Sequence, residues 1–514
     1  MTSTWFNKAN RFLKCAAVLV AHFAFVADAA AQDVTYRSEN DAVTVAGRFV
    51  AFDGENVSVA SDAGLITFRA DGMTCEGTNC PDLERYVAAL RLVGAARMGD
   101  LLLPALIDVY ARDNGLNVRE DVQGFHLLRS DGTIAFEISI AIEPQDQAFS
   151  KFANHSADAL LSMRELRDSE LAIAADAGLG PLNLARNARI LALDALVPVV
   201  SATSNVRSIS MADLTAELAG TGGQFEVHLQ ADTEGQIQGF EDRFMRPFGL
   251  QLAEPSTSHE DLDSLLPAVA QGANGLSLVP FGATQNTQPL ALNGSCGLQA
   301  EARFLTMKTE DYPLTFPMFI YLPQRRQHPQ VVDFLDWLRS PSAQLVIRRA
   351  GFVDLAAVPI PLANQGERLA NAITNAGTEV PLVELQRMVR VLSPRVRMSS
   401  TFRFEPGSTR LDGQSRSNVM QLAQAIRDGR FGGRELMLVG FSDGRGPAAA
   451  NRDLSSARAE AVLRDLSRAL GGSFPANVQV ETEAFGEALP MACDDTIWGQ
   501  QTNRRVELWV RDAP

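Results

Sequence analysis

From residue 85 to about 355 the chain alternates short apolar runs with amphipathic segments, and no other feature constrains its fold as much. Strand-like runs at 90–93, 136–142 and 190–200 are followed by helical patterns at 101–110, 149–152 and 211–218. Ser210, with Asp213 three residues on, reads as a helix start. Further strand-like runs come at 225–229, 276–279 and 318–322. Regular β/α alternation of this length implies a doubly wound α/β body with two lobes around a cleft. Such clefts take small ligands at their strand ends.

The flanks read differently. Residues 32–84 form a small all-β module, because Val43/Val45, Val57/Val59 and Ile66/Phe68 are spaced by two with Asp53-Gly54 and Asp62-Ala63-Gly64 as turns. Residues 356–395 are polar and punctuated by proline, which suggests a linker. Residues 396–514 suggest a compact βαβαβ unit, with a helix at 417–427, a strand at 435–441 and a long helix at 451–470. In that long helix Ala459, Val462, Leu463, Leu466 and Leu470 make one apolar stripe. A chain of 514 residues exceeds one core, so a multidomain protein is expected.

The first thirty residues read as an address. Lys8, Arg11 and Lys14 precede a thirteen-residue apolar stretch at 15–27, too short to span a bilayer, and Ala29-Ala30-Ala31 supplies the small residues for cleavage near Ala31-Gln32. Residues 1–31 are thus expected to be a signal peptide and the mature chain to be periplasmic. A formal charge of −15, from 46 basic and 61 acidic side chains, argues against a nucleic-acid partner. Export makes disulfides admissible, and the turn-forming Gly77 and Asn79 let Cys75 and Cys80 close a small loop. Whether Cys296 and Cys493 pair is open. The five histidines outside the leader are dispersed and give no metal-ligand cluster; neither a metal nor a cofactor is expected.

The sharpest motifs are near the C-terminus. Gly440-Phe441-Ser442-Asp443 ends a strand, Asn451-Arg452-Asp453-Leu454-Ser455-Ser456-Ala457-Arg458-Ala459 opens a helix, and Asn503-Arg504-Arg505-Val506-Glu507 begins the last strand. In this order they resemble the OmpA-like C-terminal domain, whose usual forms are GHTD, YNxxLSxxRA and NRRVE. Phe441, Ser442 and Ala450 depart from that pattern. The resemblance implies non-covalent binding of peptidoglycan through the diaminopimelate of its stem peptide. Asp443 would take the ammonium and Arg458 the carboxylate, with Asn451 also at its family position. A zwitterion needs an anion and a cation side by side, which this pair supplies. Gly440 to Gly444 also satisfies G-x-S-x-G. A serine hydrolase, however, would need a histidine after the serine, and the last one is His328. No catalytic residue is therefore assigned.

A second resemblance covers 85–355. Asp311-Tyr312-Pro313-Leu314-Thr315-Phe316-Pro317 and the stretch 332–355 look like segments of periplasmic phosphate-binding proteins, implying a two-lobed solute-binding fold for phosphate or another small anion. The candidate ligand residues are Arg97, Ser162, Arg164, Thr233 and Gly235. The hydroxyls expected at 94–99 are missing, and Glu234 would repel a dianion. The rival expectation is an envelope scaffold, with a protein partner, that has kept the fold without its ligand.

Overall fold

The computed structural model describes residues 34–39, 42–231, 235–374, 376–405 and 408–512. The expected signal peptide, its cleavage point and Thr233 lie outside them. The N-terminal module is a five-stranded antiparallel sheet in the order Gly64–Arg69, Asn56–Ser61, Thr44–Phe52, Val34–Ser38, Met73–Glu76. Its period-two residues Val34, Tyr36, Val45, Val57 and Val59 make the core. Asp53 fixes one turn by accepting from the Glu55 and Asn56 amides at 2.9 and 2.7 Å. Cys75 and Cys80 are bonded to each other.

The body is built on one long strand that runs through both of its halves. Ala188–Ser201 pairs over its first half with Thr315–Tyr321 and over its second half with Gly275–Pro280. In the first lobe, Ala88–Gly94 lies parallel to Ile134–Ile142 and to Ala159–Ser162, and the latter joins Thr315–Tyr321. In the second lobe, Glu226–Gln230 lies parallel to Thr257–His259 and Gly275–Pro280. The fourteen residues of Ala188–Ser201 are buried almost throughout, which is why they read as one continuous apolar run instead of alternating. Ser210 caps the Met211–Leu218 helix by accepting from the Asp213 amide at 3.0 Å.

The C-terminal sheet has the order Pro359–Ile360, Val396–Arg403, Arg505–Asp512, Arg434–Phe441, Val478–Ala484. Helices Gly413–Arg427 and Ala448–Ala469 cover one face through Val419, Leu422, Ala459, Val462 and Leu466. The segment 356–395, expected as a linker, covers the other. Its helices Gly366–Thr374 and Leu382–Leu392 set Ala372, Leu385, Met388 and Leu392 on Met437, Val439 and Trp509. The polar residues that suggested a linker are the solvent side of these helices, and two short amphipathic helices broken by proline give a weak periodic signal.

This unit is joined firmly to the body. Cys296 and Cys493 form a disulfide. Trp498 enters the core of the second lobe, edge-on to Phe248 at 4.9 Å between ring centres. Asp311 of the body receives Arg397 at 3.0 Å, and Arg397 also meets the fully buried Glu507 at 3.4 Å. Burial alone would push Glu507 up, but Arg368, Arg397 and Arg505 hold it well below the usual carboxylate range.

Candidate functional site

The C-terminal motifs meet at one end of their sheet. Gly440 lets the Arg434–Phe441 strand lie against the long helix, because a Cβ there would stand 2.1 Å from the Ser455 carbonyl oxygen. The chain then leaves the strand through Ser442, whose amide donates to the Gly486 oxygen at 2.9 Å, and presents Asp443. One Asp443 oxygen accepts from the Arg445 amide at 3.1 Å, and the other accepts from Nε of Arg504. Arg458 points toward this loop from the third turn of the helix and lies over the Phe404 ring at 5.4 Å. It is 4% exposed, and its Nε and Nη1 are buried with no partner among the described residues. Burial, followed by the neighbouring Arg504 charge, pushes its guanidinium below the usual arginine range, and Asp443 opposes that shift.

Two further acids line the same place. Asp494 accepts from the Gly444 amide at 2.7 Å and from Nδ2 of Asn503 at 2.9 Å. Asn503 also receives the Met491 amide at 2.7 Å, so the first residue of the Asn503–Glu507 motif fixes the loop that carries Asp494. Asn451 donates Nδ2 to Glu487. Burial raises the pKa of both Glu487 and Asp494, and the Asp443 charge raises each further. Asp443, Asn451 and Arg458 are thus brought together. Arg504, Glu487 and Asp494 were missed: Arg504 stood in plain view in the third motif, whereas the two acids reach the site only through the long loop after Val478–Ala484.

The body cleft is arranged differently. A cavity of about 220 Å³ opens between the lobes beside Arg97, Gln230, Gln236, Asp261 and Asp263. Arg97 donates Nε to Asp194 at 2.9 Å, Nη2 lies 2.9 Å from the same oxygen, and the ring of Phe352 lies 5.2 Å beneath. Asp194 accepts as well from the Ala195 amide at 2.8 Å and Gln236 at 3.4 Å. Ser162 and Arg164 do not line this cavity. The Ser162 hydroxyl donates to the Arg164 carbonyl at 2.7 Å, and Arg164 grips Glu170 with two bonds of 2.7 and 2.8 Å. Gly235 opens the Gln236–Phe244 helix with a left-handed φ of 85°, where a side chain would crowd Gln145. Among the described residues no group of three His, Cys, Asp or Glu is placed to hold a metal ion, and no helix is long and apolar enough to cross a membrane.

Residues 403–504 match the OmpA family. A 115-residue stretch of the chain is 36% identical to the peptidoglycan-associated lipoproteins of Pseudomonas putida and Pseudomonas aeruginosa, taking in 22% of this chain and 64% and 63% of those proteins. The chain therefore spans just under two thirds of the length of these curated relatives. The solved peptidoglycan-associated lipoprotein of Burkholderia pseudomallei is 27% identical, with 22% of this chain and 89% of that one covered and a TM-score of 0.19. An ABC-type phosphate transport receptor from Vibrio cholerae is 15% identical over 51% of this chain and 99% of its own, with a TM-score of 0.40. A putative phosphate ABC transporter substrate-binding protein from Clostridium perfringens, solved with bound phosphate, is 12% identical over 52% and 100%, also with a TM-score of 0.40. By its motifs, its sheet and its family match, the C-terminal part of this chain is an OmpA-like domain, carried on a two-lobed α/β body.

Proposed function

We propose that the chain is a non-enzymatic, periplasmic protein that binds peptidoglycan non-covalently through its C-terminal domain. The carrying observation is the buried guanidinium of Arg458, two of whose nitrogens have no partner among the described residues, next to a crowd of carboxylates. Each unpartnered buried donor costs about 1–3 kcal/mol. A ligand carboxylate would satisfy these donors, and a ligand ammonium would relieve the repulsion among Asp443, Glu487 and Asp494. Diaminopimelate of the stem peptide carries both groups on one carbon. Asn451 then serves to orient Glu487, and Arg504 to hold Asp443 until the ammonium arrives. Co-sedimentation with purified sacculi tests this reading. Arg458→Ala and Asp443→Ala should each lose the pellet while keeping the wild-type circular dichroism, and undiminished pelleting of both would sink the assignment.

For the body, one reading is a receptor for phosphate or another small anion near the wall. The other is an envelope scaffold that has kept the fold without the ligand and serves a protein partner. The Arg97–Asp194 pair supports the second, since the cation facing the cleft already has its counter-ion. Calorimetric titration of the full chain with phosphate, with sulfate as control, separates them. Saturable heat would restore the receptor.

A further inference from the structure

A larger cavity lies where the body meets the C-terminal domain. It measures about 530 Å³ and shares no lining residue with the cleft between the lobes. The first residues of the Ala188–Ser201 strand and the helices Pro329–Trp337 and Pro341–Arg349 wall it on the body side. The strand Val396–Arg403 and the helix Gly413–Arg427 wall it on the other. Its volume lies within the range of about 300–1,000 Å³ that holds small organic ligands.

The chemistry of the lining is two-sided. Ile190, Leu191, Leu338, Leu422 and Phe431 are buried aliphatic and aromatic walls, and Met420 stands 38% exposed among the lining residues. Arg189, Arg339, Arg348, Arg430 and Arg434 also line the cavity, against the single carboxylate of Asp428. Three of these arginines have counter-ions that do not line it: Arg189 meets Asp336 at 2.9 Å, Arg348 meets Asp354 at 3.0 Å and Arg434 meets Asp512 at 3.7 Å. Arg339 and Arg430 make no ion pair or side-chain hydrogen bond among the described residues. Crowding by the protein, and then the adjacent Arg189 charge, push the Arg339 guanidinium down from its ordinary value, and the Asp336 charge opposes that shift.

These features select a ligand class. A bare inorganic anion would pair the arginines but leave the aliphatic walls wet, and about 25 cal/mol per Å² of apolar surface would be forgone. A neutral hydrocarbon would fill the walls and leave Arg339 and Arg430 without an ion pair, and a cationic amphiphile would be repelled. We propose that this inter-domain cavity binds a single-chain amphiphile with one anionic head group. The alkyl chain lies against Ile190, Leu338, Leu422 and Phe431, and the head sits between Arg339 and Arg430. The site stands apart from the wall-binding residues and does not depend on them.

The test uses the full chain and dodecanoate below its micellar concentration, followed by calorimetry. Acetate supplies the head alone, and dodecyltrimethylammonium supplies the same chain with the opposite charge. Dodecanoate should bind saturably at one site, and neither control should. The double substitution Arg339→Gln/Arg430→Gln should weaken dodecanoate at least tenfold. Its thermal midpoint should stay unchanged, because neither side chain holds the fold. Met420→Trp, which fills the cavity from a partly exposed position, should weaken dodecanoate as well. No saturable uptake by the wild-type chain, equal binding of the cationic amphiphile, or an unaltered double variant would each overturn the proposal. Flotation with phosphatidylcholine vesicles carrying lysophosphatidylglycerol, a single-chain anionic lipid, that is lost in the double variant would assign the amphiphile to a membrane; dodecanoate uptake without flotation would assign it to solution.

Discussion

Two arginines, one in each half of the molecule, face the places where a ligand would sit, and the protein treats them in opposite ways. Arg97 in the body cleft is neutralised by Asp194 at 2.9 Å and stacked on Phe352. Arg458 in the C-terminal domain is more deeply buried, yet two of its guanidinium nitrogens have no partner among the described residues, and the neighbouring Asp443 is held by Arg504. A buried cation with its counter-ion in place has little to gain from an incoming anion. One kept short of partners gains the full strength of a charge-assisted hydrogen bond, about 1.5–3 kcal/mol. Identical residue types therefore predict opposite affinities, and the difference lies in the second residue of each pair.

The sharpest way to break this contrast is to remove Arg458. Arg458→Ala should weaken sacculus binding a hundredfold or more, about 2.7 kcal/mol, read from the fraction pelleted across a protein titration. Arg97→Ala should leave that binding unchanged. Equal losses would mean that wall contact is spread over the surface and not held in one site. The next effect concerns what joins the two halves. Cys296→Ser should lower the free energy of unfolding by about 2–3 kcal/mol, seen as a lower denaturant midpoint, because the bond closes a loop across 197 residues. The adjacent Asp494 keeps its Gly444 and Asn503 bonds without the disulfide, so sacculus affinity should fall by less than threefold.

The contrast explains what could be read in the sequence. Short-range patterns carried the fold: the period-two residues Val57 and Val59, the Ser210 cap and the stripe at Ala459, Val462 and Leu466 all sit where their spacing put them. Asp443, Asn451 and Arg458 were legible because three motifs in fixed order name them. Asp194 was not, since it lies 97 residues from Arg97 as a lone acid in an otherwise apolar stretch, and nothing local marks its partner. The helices between 356 and 395 were hidden for a related reason. Their buried face meets a sheet whose strands are written both before and after them, so neither flank shows what they cover.

A smaller effect would reverse the assignment of the cleft. Asp194→Asn removes the internal counter-ion while keeping the shape and the bond from the Ala195 amide. Arg97 would then need an anion, and phosphate affinity measured by calorimetry should rise about tenfold over the wild-type chain. If wild type already binds phosphate tightly and Asp194→Asn weakens it, then Asp194 belongs to the ligand site and the two arginines are alike after all.

The smallest effect probes the joint on which both halves depend. Glu310 sits there with a positive φ of 56°, its carbonyl accepting from Arg403 at 2.5 Å and its carboxyl from Asn418 at 3.3 Å. Burial, reinforced by the Asp412 charge, pushes its pKa up to about 8. In the unfolded chain a glutamate titrates near 4.3, so between these values the folded state keeps a proton that the unfolded state has lost. Its contribution is present in full below the unfolded value and is lost as pH rises toward 8. Wild type should therefore be less stable at pH 8 than at pH 5. Glu310→Gln stays neutral and should be the more stable protein at pH 8 with little difference at pH 5, as read from thermal midpoints. Glu165, also pushed up by burial, acts with the same sign, so the slope should shrink and not vanish. Sacculus binding by Glu310→Gln should match wild type at both pH values, because Asp443, Glu487, Asp494 and Arg458 all belong to the C-terminal domain. A parallel change in binding would show that the joint reaches into the wall site, and that the contrast between the two arginines is set by how the halves are fastened.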